Sequence, residues 1–150
     1  MSKKVMKKYL SVEKVKFIES DDKKSALKEL WELIKDEESI TDSKKLLNDI
    51  LSREKIMSTG IGAGIAVPHI KSEVVKDFVI SIGVSKKGID YDAIDKKKVH
   101  IIVMIAAPAH KHDEYLKLLA KLVLRLKNSE FRNKIIHSSN NNEIYELFTK

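Results

Sequence analysis

The chain has 150 residues, 34% of them charged and 43% apolar, a balance that excludes a disordered polyelectrolyte and fits one soluble globular domain with a real core. No apolar run approaches the roughly 20 residues of a membrane span, and the basic start M-S-K-K-V-M-K-K-Y-L lacks the apolar segment of a signal peptide, so no membrane insertion is expected. There is no cysteine, which excludes disulfides, thiol nucleophiles and Cys metal sites and fits the cytoplasm. The net charge of +7 does not point to nucleic acid: six lysines and one glutamate in the first 16 residues carry most of it, and aromatic interleaving is absent.

Residues 1–11 read as a solvated basic arm, and residues 12–150 as one domain. Residues 12–18 form a first strand. Ser20-Asp21-Asp22 then offers N-cap chemistry to a helix whose Leu27, Leu30, Trp31 and Ile34 recur at i, i+3, i+4 and i+7. Thr41 or Asp42 caps a second helix with Leu47, Ile50 and Leu51 inward and Arg53 near its end, where a cation also complements the helix dipole.

The run R-E-K-I-M-S-T-G-I-G-A-G-I-A-V-P-H-I, residues 53–70, holds three of the five glycines and one of the two prolines. Gly60, Gly62 and Gly64 suit a tight turn whose backbone N–H groups, with Thr59, can face an oxyanion. They do not make G-x-G-x-x-G, because Ile65 stands at the third glycine, and no G-K-[ST] follows. I-A-V reads as a short buried strand ended by Pro68, which also stiffens the backbone before His69. An anion-binding turn, a rigidly held imidazole and a nearby Arg point to phosphoryl transfer through histidine. The competing reading is a tight loop with a structural His.

Residues 78–84 form a strand closed by a turn at Ser85-Lys86-Lys87-Gly88, followed by a polar excursion. Residues 99–107, apolar apart from His100, predict a central strand covered on both faces and ended by Pro108. A helix over 113–127 places Leu116, Leu119, Ala120, Val123 and Leu126 on its inner face. Ser129 caps a shorter helix to residue 136, and 143–148 form a last one after an Asn-rich turn. The pattern is α/β: a single domain with a mixed central β-sheet flanked by helices on both faces. His100 and His137 read as structural. His110 and His112 lie beyond the end of the central strand, where ligands gather. With Asp113 or Glu114 they make only a loose metal pattern, and no metal or cofactor is expected.

The stretch R-E-x-x-x-S-T-G-I-G-x-G-I-A-V-P-H resembles the active-site signature of the fructose/mannitol-type (type 2) enzyme IIA domain of the bacterial phosphotransferase system. The resemblance extends from about residue 12 to the end. It implies that His69 carries a phosphoryl group received from phospho-HPr and passes it to a cysteine of enzyme IIB, with Arg53 clamping the phosphate. It equally implies an alternative, a nitrogen-type regulatory IIA-like protein whose phosphorylation state controls partner binding. Members commonly carry a second active-site His at the start of the long late helix. Here Tyr115 stands in its place, in Glu114-Tyr115-Leu116, and His112, three residues earlier, is the candidate substitute. If the chain is such a carrier, the missing cysteine excludes a fused IIB domain of the Cys-phosphosite type.

Overall fold

The computed structural model describes residues 3–150. Six strands form one mixed sheet: β1 (Val15–Phe17), β2 (Gly60–Gly62), β3 (Ile65–Ala66), β4 (His69–Ser72), β5 (Val79–Ile89) and β6 (Val99–Pro108). The order is β1-β5-β6-β3-β2, with β4 also on β6; β5 is antiparallel to β6, whereas β3 and β4 run parallel to it. Six helices surround the sheet: α1 (Lys3–Tyr9), α2 (Lys23–Glu32), α3 (Ser43–Ile56), α4 (His112–Leu126), α5 (Ser129–Ile136) and α6 (Asn141–Thr149). Among the described residues no helix is long and apolar enough to cross a membrane.

The apolar run of β6 has the expected cause. Ile101, Val103, Ile105 and Ala107 face a core shared with α1, α4, α5 and α6, while Ile102, Met104 and Ala106 face a second core under α2 and α3. Strand alternation sends successive side chains to opposite faces, so a strand buried on both must be apolar throughout. Leu27, Leu30, Trp31 and Ile34 are all buried in the second core. Asp22 caps α2 and Asp42 caps α3, each accepting from the amide three residues on.

Several expectations are corrected. The basic arm is not solvated through its length: residues 3–9 form a helix that turns Met6, with Leu10 just beyond it, into the core against α6. Lysines at four positions masked this apolar face. The first strand is only three residues long, because residues 12–14 form a 3₁₀ turn. Ser85-Lys86-Lys87-Gly88 is not a chain reversal. It lies within β5, where the pairing with β6 shifts register and Gly88 takes φ +91°, so turn-forming residues serve a bulge. The inner stripe of α3 centres on Leu46 and Ile50, with Leu47 and Leu51 at its margin. In α4 the buried face is Tyr115, Leu118, Leu122 and Leu126, and Leu116 is 49% exposed. Leucines lie all around this helix, so periodicity alone could not choose the face. Asn128, one residue before Ser129, caps α5.

Candidate active site

The site lies where β4 begins. β3 and β4 hold one register along β6, Ala66 opposite Ile102 and His69 opposite Ile105, with Val67 and Pro68 as an interruption between them. Pro68 has no N–H to give, but its carbonyl accepts from Ile105 N–H at 2.9 Å, so the break stays anchored to the central strand. His69 therefore starts a fixed strand and is only partly buried.

Its tautomer follows from one contact. His69 Nδ1 is 2.5 Å from the Val67 carbonyl oxygen. A carbonyl can only accept, so Nδ1 carries the hydrogen, and in the neutral ring the lone pair is on Nε2. The neutral ring can act as a nucleophile only through Nε2.

Tyr115, in the first turn of α4, packs 6.0 Å from the His69 ring, centroid to centroid, at 48°. The tyrosine is buried in the core and also borders the imidazole, so packing and proximity to the site are not alternatives. Burial pushes its phenol up from the ordinary value, and the Arg53 charge opposes that shift, which puts Arg53 within electrostatic reach of the same spot. Arg53 itself donates from Nη1 to the Met57 carbonyl at 3.2 Å, just past the end of α3. One of its five donors is used there, and the planar fork remains available.

The glycine turn is a hairpin in which two amides are taken within the fold. Gly62, Ala63 and Gly64 all have positive φ and make the tight β2–β3 hairpin. The amide of Ala63 donates to the Asp95 carboxylate and that of Gly60 to Ser58 Oγ, so loop donors are spent within the fold, one of them on an anion. Thr59 is likewise occupied. It is buried, its amide and hydroxyl both donate to Glu54, and its oxygen lies 3.0 Å from Tyr91 Oη. Its one hydroxyl hydrogen goes to Glu54, which makes Thr59 part of the frame around the site.

Two further parts were not anticipated. Glu54, beside Arg53, is buried, takes Thr59 from one side and Lys23 from the other at 3.1 Å, and so ties α3, α2 and the hairpin together. Its position four residues after Ile50, on the buried stripe, was the available signal. Lys71 sits two residues after His69 on the same face of β4. Its Nζ lies 5.5 Å over the Tyr115 ring and 2.6 Å from His112 Nδ1. His100 donates to the Ser85 carbonyl and His137 to that of Asn133, both structural as expected. Among the described residues no three His, Asp or Glu side chains are placed to hold a metal.

The family model described as "Phosphoenolpyruvate-dependent sugar phosphotransferase system, EIIA 2" matches residues 8–150. The fructose-specific EIIABC component of Bacillus subtilis is 32% identical over 133 residues, 89% of this chain but only 21% of that protein. The fructose-specific EIIA component of Haloferax volcanii is 29% identical over 128 residues, covering 85% of this chain and 83% of its own. The solved structure of nitrogen regulatory protein IIA-Ntr from Neisseria meningitidis is similar with a TM-score of 0.89 at 25% identity, over 97% of this chain and 99% of that one.

Proposed function

Because the chain belongs to the EIIA 2 family of the phosphoenolpyruvate-dependent sugar phosphotransferase system, we propose that it is a phosphohistidine carrier working through His69 Nε2. It accepts a phosphoryl group from a phospho-HPr-type donor and passes it to a cysteine of a IIB partner. The observation that carries this reading is the Nδ1–H to Val67 carbonyl bond, which commits Nδ1 as a donor and leaves Nε2 as the nitrogen that can attack in the neutral ring. The Nε2 lone pair forms the new N–P bond as the donor's P–N bond breaks, its electron pair leaving on the donor nitrogen, while Nδ1 keeps its proton. In the onward step the IIB thiolate sulfur attacks phosphorus and the N–P pair returns to Nε2. Such transfer through a loose in-line transition state needs positioning and charge more than covalent assistance. Arg53 supplies a planar fork for the phosphoryl oxygens, and the Tyr115 hydroxyl a further donor.

The surroundings support protein partners. Ile56 and Met57 at the end of α3, 81% and 68% exposed, and Ile94 beside the hairpin leave apolar surface near Arg53 and the β2–β3 turn. Exposed apolar side chains near a reactive centre fit a protein that hands its group to another protein. A mannitol IIA of similar fold has been solved in complex with its phosphorylated IIB.

A regulatory role is supported by the whole-length fit to the nitrogen regulatory protein and uses the same histidine. One experiment separates the two. The chain is labelled with phosphoenolpyruvate, enzyme I and an HPr-type carrier, then mixed with fructose- and mannitol-type IIB domains. Loss of label to a IIB supports the carrier. Retention against every IIB supports regulation. Failure to take up label in the first step contradicts both.

A further inference from the structure

The resemblance implies a second imidazole where this chain has Tyr115, and with it a positive charge that a phenol cannot supply. His112 is the substitute that sequence spacing suggests. The geometry assigns the charge elsewhere. Lys71 Nζ is 2.6 Å from His112 Nδ1. An ammonium has only donors, so Nδ1 accepts and His112 is neutral in this contact. A second ring proton, placed on Nδ1, would remove the acceptor and set two cations against each other.

Lys71 is well placed for the role. It shares the face of β4 with His69, about 7 Å away along the strand. Its ammonium is held over the Tyr115 ring at 5.5 Å, and that ring lies 6.0 Å from the imidazole of His69. Cation–π contact and the His112 bond together hold a flexible lysine on the ring that borders His69.

We propose that Lys71 is a phosphoryl-contact residue of this site and that His112 is the positioning residue that aims it. Lys71 binds the anionic oxygens of the group on His69, replacing the charge lost with the second histidine. The proposal rests on His69 being the phosphoryl acceptor, but not on which protein donates.

Phosphoramidate tests it, because this small donor phosphorylates histidine without any docking surface. The Nε2 lone pair forms the N–P bond, the donor P–N bond breaks, and the already protonated nitrogen leaves as ammonia. Rates of His69 phosphorylation are read by ³¹P NMR. Lys71→Met should slow the reaction by about 10- to 100-fold, the scale of one charge-assisted contact. Lys71→Arg should restore most of the rate. His112→Ala should cause a smaller loss, and none when added to Lys71→Met, because a positioning residue acts only through the group it positions. His112→Gln, which keeps an acceptor, should retain more activity than His112→Ala. Parental rates in Lys71→Met, or a full additive loss in the double variant, would overturn the proposal. A Lys71→Met defect seen with HPr but not with phosphoramidate would also overturn it, placing Lys71 in partner docking instead. Phosphorylation by phosphoramidate but never by HPr would sink the carrier reading and leave Lys71 in place.

Discussion

Glu54 offers a sharp test of how the site is framed. Its carboxylate is 6% exposed and accepts the Thr59 amide at 2.7 Å, the Thr59 hydroxyl at 2.8 Å and Lys23 Nζ at 3.1 Å. Hydrogen bonds to a charged group contribute about 1.5–3 kcal/mol each, and breaking a buried ion pair costs about 3–5 kcal/mol. Lys23 is partly open to water, and the Thr59 hydroxyl keeps Tyr91, so the lower end applies. Glu54→Ala should therefore cost about 3 kcal/mol. At this chain length that lowers Tm by roughly 6–12 °C. Glu54→Gln keeps an acceptor for the Thr59 amide and presents an NH₂ that the Thr59 oxygen can accept, so its cost should be about 1 kcal/mol. Thermal and urea melts read both. Lys23→Met should cost less in the Glu54→Ala background than alone, because its partner is already gone. A Glu54→Ala loss below about 1 kcal/mol, the level of an ordinary substitution, would refute the framing role.

Three other outcomes are expected. Arg53→Lys keeps a cation near the end of α3 but loses the planar fork, so stability should hold while phosphoryl transfer slows by about 10- to 100-fold; equal transfer rates would confine Arg53 to the Met57 carbonyl. Tyr115→Phe should slow transfer by roughly 3- to 10-fold, the scale of one neutral hydrogen bond, and Tyr115→His should transfer at least as fast as the parent; a parental rate in Tyr115→Phe would leave the ring as packing alone. Burial alone would raise the Glu29 carboxyl, but Lys16, Ser20 and the Glu19 and Ser20 amides hold it at about 2. A depressed folded pKa stabilises above the unfolded value and is lost on acidification, so stability should fall between about pH 4.5 and 2 and flatten there in Glu29→Gln; parallel pH profiles for the two proteins would show that Glu29 does not couple to folding.

Much of the fold was legible because its signals are redundant. The β6 run and the α2 stripe each had one reading, and the cap candidates narrowed each helix start to two or three residues. Elements failed where the signal was degenerate. In α4 leucines on several sides let the stripe be drawn one residue off, and that error hid Tyr115 as a core residue. Around α1 four lysines outweighed Met6 and Leu10, the two apolar residues that bury. At the site, the order of His69, Pro68 and Arg53 was readable from local chemistry and resemblance. Lys71 was not, because its role depends on β4 lying beside α4, a non-local pairing with no mark in the sequence around Lys71. The Glu54 and Tyr91 partners of Thr59 were hidden for a similar reason. A hydroxyl beside glycines suits an anion equally well until Glu54 and Tyr91 are seen to claim it.

The central claim is that His69 is phosphorylated on Nε2 because Val67 holds the proton on Nδ1. It is tested most directly by ¹H–¹⁵N and ³¹P NMR of the ¹⁵N-labelled chain after phosphorylation through phosphoenolpyruvate, enzyme I and HPr. The account predicts one phosphorylated residue, with the ³¹P coupling at Nε2 of His69, and no incorporation in a folded His69→Ala variant. Phosphate at Nδ1, or on any residue in that variant, would contradict it.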